Sequence, residues 1–493
     1  MKKIPSLPRH VPDVTVGDPV DGGDVIDCRV VVGEIPETGV RAVLADDGVW
    51  EVAVPAQPVA LTDLAELSDE PRLGDDGWRA AGAVLMRRLG ALVAGHPVRA
   101  KRHTVQISLP GSTTTMNLRN LAQGLMLGSR RIAVRRKDAP AEVRKVHLNL
   151  DGLDPQVVRR ATDNVDKGCV QGGATALARD ITGLPGNGVP LRWWRRQMKS
   201  LLAEIPGTRV KTHGVAWLER KGFGGLLSTA TGGVGGAAGD PDVDGTPGLV
   251  ELFWDPAAAE GDLTDDQPDV LLVGGAEVAA AVRALADLKG PRKVVGIIPV
   301  YGRSTTTGVQ VVASAVDPGG SRYSLVEHVN GMTTQVPYAA TPQQQAQVAR
   351  RLALADVVAY GVKRYQPRRV VVVAPVSAAS KSALGERTGA VFGSEQAVKR
   401  VTFRGARVGE RWWPMPTPSW LESSVTGKVS DVTVRADGPD AVMAAMFLRR
   451  FAGQVPCTVL DITGPVRSES VSGDIDRGST GFAARTLVEW FRK

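Results

Sequence analysis

The chain has 493 residues, 43% of them hydrophobic and 23% charged. That length exceeds one ordinary core and calls for two or three domains, and the composition excludes wholesale disorder and coiled-coil fibres. The net charge of +8 permits an acidic or nucleic-acid partner without requiring one.

No apolar run approaches the roughly 20 residues of a membrane span. The start, MKKIPSLPRHVPD, has no apolar stretch behind its two lysines, so no signal peptide is expected and the expected compartment is the cytoplasm. Cys28, Cys169 and Cys457 lack CxxC spacing and read as buried free thiols. The six histidines are scattered, without HExxH or HxH, so no histidine-built metal site is expected.

Residues 1–23, rich in Pro, Gly and Asp, read as an extended arm. Residues 24–150 read as a mixed α/β N-terminal domain. CRVVVGEIP, RAVLADDG and TVQISLP predict strands, and VRKVHLNL a terminal strand. WRAAGAVLMRRLGALVAG places Ala81, Val84, Leu85, Leu89 and Leu92 on one helix face, and LRNLAQGLMLGSRRI predicts a second helix. Residues 151–182 predict one long helix between domains, broken by LPGN.

Residues 183–493 read as a larger α/β domain with a central mixed sheet flanked by helices. DVLLVGG, RKVVGIIPVYG and RRVVVVAPVSA are apolar enough for parallel strands buried on both faces. VAAAVRALADLKG and QVARRLALADVVAYGVKRY supply helices between them. The Gly-rich GFGGLLSTATGGVGGAAGDPDVDGTPG lacks GxxxxGK[ST] and reads as a flexible loop.

In this order, ARDITGLPGN, GFGGLLSTATGG, VRALADLKGPRKVVGIIPVYGR, RRLALADVVAYGVKRYQPRRVVVVAPVSAA, RWWPMPTPSWLESSVTGKVSDV, VLDITGP and STGFAARTLVEWF resemble segments of the leucyl (cytosol) aminopeptidase family of two-metal exopeptidases. The resemblance covers about residues 110–493. It implies the family's two-domain α/β fold, a homo-hexamer built as a dimer of trimers, and a peptidase cleft.

The family's metal ligands do not carry over. The first block, a strand-end run like VGKGVTFDSGG with a following lysine loop and KYDM, has no counterpart here: the strand at 269–275 runs straight into AEVAAAVRALADLKG. The only nearby acids before Asp287 are Glu277 and, upstream, Asp265, Asp266 and Asp269. The second block, NTDAEGRL, aligns with Gln345-Ala346-Gln347-Val348-Ala349-Arg350-Arg351. Gln347 and Ala349 stand in place of the metal-bridging acids, and Arg351 alone matches, as a vestige of the active-site arginine. Hard divalent cations need anionic oxygens to offset their dehydration. The expectation is therefore a catalytically inactive homologue, with no catalytic residue, metal or cofactor, acting as an oligomeric scaffold or binding protein.

Two other readings stay open. The first is a DNA-binding architectural hexamer, as some relatives are. Its contacts would come from Arg130, Arg131, Arg135, Arg136 and Lys137, with Arg144, Lys145, Arg99, Lys101 and Arg102 adding charge. The second is altered metal-independent chemistry or residual activity in the old cleft, with Arg351 holding an anion and Ser377 and Lys381 of VSAASKS able to approach on a helical turn. Trp412, Trp413 and Trp420 are cleft candidates on the resemblance, and core packing is their plainer role. Trp193 and Trp194 read as packing at a helix start. Asp461 reads as a buried structural carboxylate. Co-assembly with an active paralogue is a further expectation about partners, and no membrane partner is expected.

Overall fold

The computed structural model describes residues 12–19, 25–33, 42–47, 49–55, 75–94, 104–110, 113–129, 143, 145–150, 154–184, 191–229, 247–259, 267–300, 313–316, 322–337 and 341–493. The chain divides into two units. One holds residues 1–183 with 406–409 and 467–485; the other holds 184–405 with 410–466 and 486–493.

In the first unit, strands β1 (Asp13–Gly17), β2 (Val25–Gly33), β3 (Ala42–Leu44), β4 (Trp50–Pro55), β5 (Thr104–Ser108) and β6 (Lys145–Asn149) form one sheet in the order β1-β6-β5-β2-β4-β3. All neighbours are parallel except β3 and β4. Residues 13–17, placed in an arm by composition, instead pair in register with β6, because Val14 and Val16 alternate and pack against the core. Helices α1 (Asp75–Ala94), α2 (Thr115–Ser129) and α3 (Pro155–Thr182) complete the unit. Ala81, Leu85 and Leu89 are buried as their spacing predicts, and Val84 is half-buried; the side chain of Leu92 lies outside the described residues.

Glycine lets α1 and α2 touch. A Cβ on Gly124 would stand 2.0 Å from the Arg79 carbonyl oxygen, and one on Gly82 2.4 Å from that of Leu121. Arg79, buried at this crossing, donates to Gln123 Oε1 at 2.9 Å, Asn120 Oδ1 at 2.6 Å and Asp76 Oδ1 at 2.7 Å. Asp154 accepts from Gln156 N at 2.7 Å, and Pro155 opens the helix, so α3 starts where the sequence predicts. It is part of the first unit and not a separate connector.

The second unit runs through α4 (Leu191–Leu202), β7 (Thr208–His213), α5 (Val215–Lys221), α6 (Gly224–Leu227), β8 (Gly248–Trp254), β9 (Val270–Gly274), α7 (Ala276–Asp287), β10 (Val294–Val300), β11 (Ala313–Val316), β12 (Arg322–Glu327), β13 (Thr333–Pro337), α8 (Pro342–Tyr365), β14 (Val370–Ala374), α9 (Ala378–Leu384), β15 (Thr388–Phe392), α10 (Glu395–Ala406), β16 (Arg411–Pro414), β17 (Val432–Thr433), α11 (Asp440–Arg450) and β18 (Cys457–Asp461). A two-stranded ribbon, β19 (Arg467–Ser468) with β20 (Gly478–Ser479), belongs to the first unit, and α12 (Ala484–Phe491) ends the chain. Residues 406–409 and 467–485, sequence-assigned to the second domain, thus cluster with the first.

The central mixed sheet is ordered β16-β15-β18-β14-β9-β10-β8-β7. The three valine-rich runs became β9, β10 and β14, parallel to one another along β10-β9-β14, with every residue buried. A second sheet, β11-β12-β13-β17, lies in the same unit. The Gly-rich stretch is not loop throughout. Phe223 and Leu226 are buried, and Gly224–Leu227 forms α6, where a Cβ on Gly225 would meet the Leu352 carbonyl oxygen at 2.4 Å. Its continuation at 230–246 lies outside the described residues.

Candidate functional site

The site builds up where the parallel strands end. β14 leads through Pro375 and Val376 into Ser377, which caps α9; β18 ends at Asp461. Asp461 is buried and accepts from Val376 N at 3.1 Å, Thr463 N at 2.9 Å, Thr463 Oγ1 at 2.5 Å and Ser380 Oγ at 2.5 Å. Burial pushes its carboxyl up, and the four donors only partly offset that. Asp461 is the structural carboxylate the sequence reading expects.

α8 carries Gln347, Ala349 and Arg351. Thr341 caps it by accepting from Gln344 N at 3.3 Å, with Pro342 in its first turn. Gln347 and Ala349 are half-buried, and neither an amide nor a methyl supplies an anionic oxygen. Arg351 is fully buried. Its guanidinium donates to the Val376 carbonyl oxygen from Nε at 3.1 Å and Nη2 at 3.0 Å, to that of Val434 at 3.2 Å, and to Asp440 Oδ2 at 2.7 Å. Asp440 also accepts from Ser377 Oγ at 2.6 Å. Burial raises the Asp440 carboxyl, but the hydrogen bond and charge of Arg351, with Ser377 and Arg435, outweigh it and hold the group below the ordinary carboxylate value. No spacing signal pointed to Asp440, which lies 89 residues from Arg351.

This closure corrects the reading in which Arg351 holds an external anion. Its donors are engaged by two backbone carbonyls and an internal carboxylate. The Ser377–Lys381 approach also fails. Ser377 is bound to Asp440, while Lys381 Nζ pairs at the surface with Glu386 at 2.8 Å.

β9 passes into α7 through Gly275 alone. A Cβ on Gly274 would meet the Val373 carbonyl oxygen at 2.4 Å, so the strand end is packed tightly on β14. Glu277, in the first turn of α7, is 5% exposed. Burial, then the charge of Glu410, pushes its carboxyl up to about 7, with its own backbone N–H working against them. Asp265 and Asp266 lie outside the described residues. Among the described residues, no group of three or more His, Cys, Asp or Glu side chains could hold a metal ion.

Asp356, one turn beyond Arg351, anchors a second buried chain. It accepts from Leu226 N at 2.8 Å and meets His328 Nδ1 at 2.8 Å, while His328 Nε2 meets Thr334 Oγ1 at 2.8 Å. The order acid–imidazole–hydroxyl is that of a hydrolytic triad. Thr334 and Asp356 are 0% exposed and His328 is 2% exposed, so no substrate reaches the hydroxyl. The chain ties α6 and β13 to α8. Sequence reading saw His328 only as one of the scattered histidines.

The tryptophans separate. Trp412 is buried on β16, and its Nε1 donates to Thr486 Oγ1 at 2.9 Å, which corrects its place among cleft candidates. Trp413 and Trp420 are 59% and 74% exposed. Trp193 and Trp194 pack edge-to-face inside the second unit, as read from sequence. Arg130, Arg131, Arg135, Arg136 and Lys137 lie outside the described residues, as do Arg99, Lys101, Arg102 and Arg144. No helix among the described residues is long and apolar enough to cross a membrane.

Known proteins are similar to much of this chain in sequence and in fold. A family model described as the cytosol aminopeptidase family, catalytic domain, matches residues 269–488. A probable cytosol aminopeptidase of Desulfotalea psychrophila is 28% identical over 83% of this chain and 81% of its own length. Another, of Syntrophotalea carbinolica, is 25% identical over 95% and 90%. Among solved structures, the bottromycin maturation enzyme BotP superposes with a TM-score of 0.68 at 24% identity, covering 94% of this chain and 98% of that one. A tomato leucine aminopeptidase mutant superposes at 0.71 with 17% identity over 99% and 98%. Residues 269–488 thus match the catalytic domain of the cytosol aminopeptidase family, and in its two-unit α/β fold the chain is similar to leucyl (cytosol) aminopeptidases.

Proposed function

We propose that this protein is a non-hydrolytic member of its family, a pseudo-peptidase that serves as an oligomeric scaffold or binding protein. The carrying observation is Arg351 drawn onto Asp440 beside an amide and a methyl, Gln347 and Ala349, where relatives would present bridging acids. Two divalent cations need several anionic oxygens, and generating hydroxide near neutral pH depends on them. The residues present do not fit such a pair. Glu277 is about half protonated at neutral pH and shares its buried surroundings with Glu410, itself bonded to Thr486.

The proposed assembly is a hexamer, a dimer of trimers, in the cytoplasm, alone or with an active paralogue. The test pairs elemental analysis of the purified chain with hydrolysis of Leu-p-nitroanilide under added manganese or zinc. Substoichiometric metal and no turnover above solvent background are expected. Metal-dependent turnover at ordinary enzyme rates would overturn the proposal. Light scattering measures the assembly.

A further inference from the structure

The parallel strands β9, β10 and β14 begin at the edge opposite the one where β14 and β18 end at Ser377 and Asp461. Asp269 precedes β9, Arg292 precedes β10, and Arg369 precedes β14. The chain thereby brings two guanidinium groups and one acid to the same strand edge. α10 adds Arg400 and Arg404, four residues apart and hence on one helix face. These residues line a cavity of ≈ 220 Å³ with Trp490, Phe491 and Lys493. β14 is five residues long, so about 17 Å of strand separates this pocket from the Arg351 site.

Arginines outnumber acids in this pocket, although Arg292 Nε already donates to the Lys493 main-chain oxygen at 3.3 Å. Asp269, its lining acid, already accepts from Lys293 N at 2.9 Å and stands 3.8 Å from Arg368. Arg404 reaches Glu489 at 3.5 Å, but Glu489 is bound more closely by Arg492. Among the described residues, no carboxylate stands within ion-pair distance of Arg369 or Arg400. Burial, then the charges of Arg400, Arg292 and Arg368, hold the Arg369 guanidinium below its ordinary value, while Asp269 works the other way. Four forked, always-charged side chains around a small open cavity match phosphate oxygens, each fork taking two. Two linked phosphates offer four forks more oxygens than a single phosphate does.

We infer that the juxtaposition of Arg292, Arg369, Arg400 and Arg404 at the amino-terminal strand edge is a binding site for a small molecule carrying two or more linked phosphates. The inference is independent of whether the Arg351 site hydrolyses peptides. The pocket is smaller than the ~300 Å³ at which drug-sized ligand sites begin, which suits the phosphate chain itself as the recognised part.

Titration calorimetry on the full chain at low salt tests this with inorganic pyrophosphate, orthophosphate, sulfate and a short DNA duplex. Pyrophosphate is expected to bind one per chain, at least about tenfold more tightly than orthophosphate or sulfate, and to weaken as salt rises. Arg400→Glu is expected to weaken it by a further tenfold or more. Arg400 is exposed, so this variant should keep the wild-type melting temperature, and Arg387→Ala, an exposed arginine outside the pocket, should bind as wild type does. Absence of pyrophosphate binding, equal binding of sulfate, or indifference to Arg400→Glu would each overturn the inference. Duplex binding that pyrophosphate cannot displace would also overturn it, by making the edge a nucleic-acid surface.

Discussion

The Nη2 of Arg351 and the Oδ2 of Asp440 meet at 2.7 Å, joining the buried face of α8 to the first turn of α11. Arg351 is 1% exposed at its side chain and Asp440 43% exposed, so the pair is a buried cation held by a half-exposed anion. Removing the anion leaves the cation in place without its charge partner. Asp440→Ala is expected to cost about 1–3 kcal/mol, read as a lower urea midpoint. An unchanged midpoint would show the two carbonyls of Val376 and Val434 to suffice.

The same pair sets an acid limit. A carboxylate held below its ordinary value binds fewer protons in the folded than in the unfolded chain. Its stabilisation is therefore complete above the unfolded value near ~3.9 and fades as pH falls through the lower folded one. Stability curves should lose a step below about pH 4 in Asp440→Ala relative to the wild type.

Glu277 acts in the opposite sense. Its carboxyl sits at about 7 instead of 4.5, so the unfolded chain releases the proton first and stability falls as pH rises between those values. The displacement corresponds to about 3 kcal/mol at alkaline pH. Glu277→Gln should flatten the profile over that window and raise the midpoint at pH above about 7. A wild-type profile already flat there would contradict this account of the site.

Two tryptophans eight residues apart should differ sharply. Trp412→Ala empties core volume and removes the bond its Nε1 donates to Thr486, costing about 3–5 kcal/mol. Trp420→Ala, at 74% exposure, should stay within about 0.5 kcal/mol and reduce the iodide-quenchable fluorescence of that segment, leaving the share of Trp413. Equal losses in guanidinium unfolding would rule out this assignment.

Gly124→Ala tests the α1–α2 crossing. The new methyl would lie 2.0 Å from backbone oxygen, which cannot rotate away as a side chain can. A loss of at least about 1–3 kcal/mol is expected, and a neutral outcome would mean the helices separate freely.

What the sequence determined by itself was local or additive. Short runs dominated by valine, leucine and isoleucine suit strands covered on both faces, so β9, β10 and β14 were legible. The helices α3 and α8 were legible in their bodies, but Thr341 and Pro342 start α8 five residues before the Gln347 from which the sequence reading took it. The strand running directly into a helix after residue 274 was also legible, and the chain does make that turn at Gly275. Tertiary structure alone decided which charges meet. Asp440 reaches Arg351 across 89 residues, and four arginines gather at one cavity from the starts of two strands and from a helix. It also showed that Val14 and Val16 extend a sheet and that Trp412 is core while Trp420 is surface. The reason is physical. Periodicity reports which face of an element leaves water, but an ion pair depends on separation in space, and nothing in local spacing encodes how two distant turns are brought within hydrogen-bond reach.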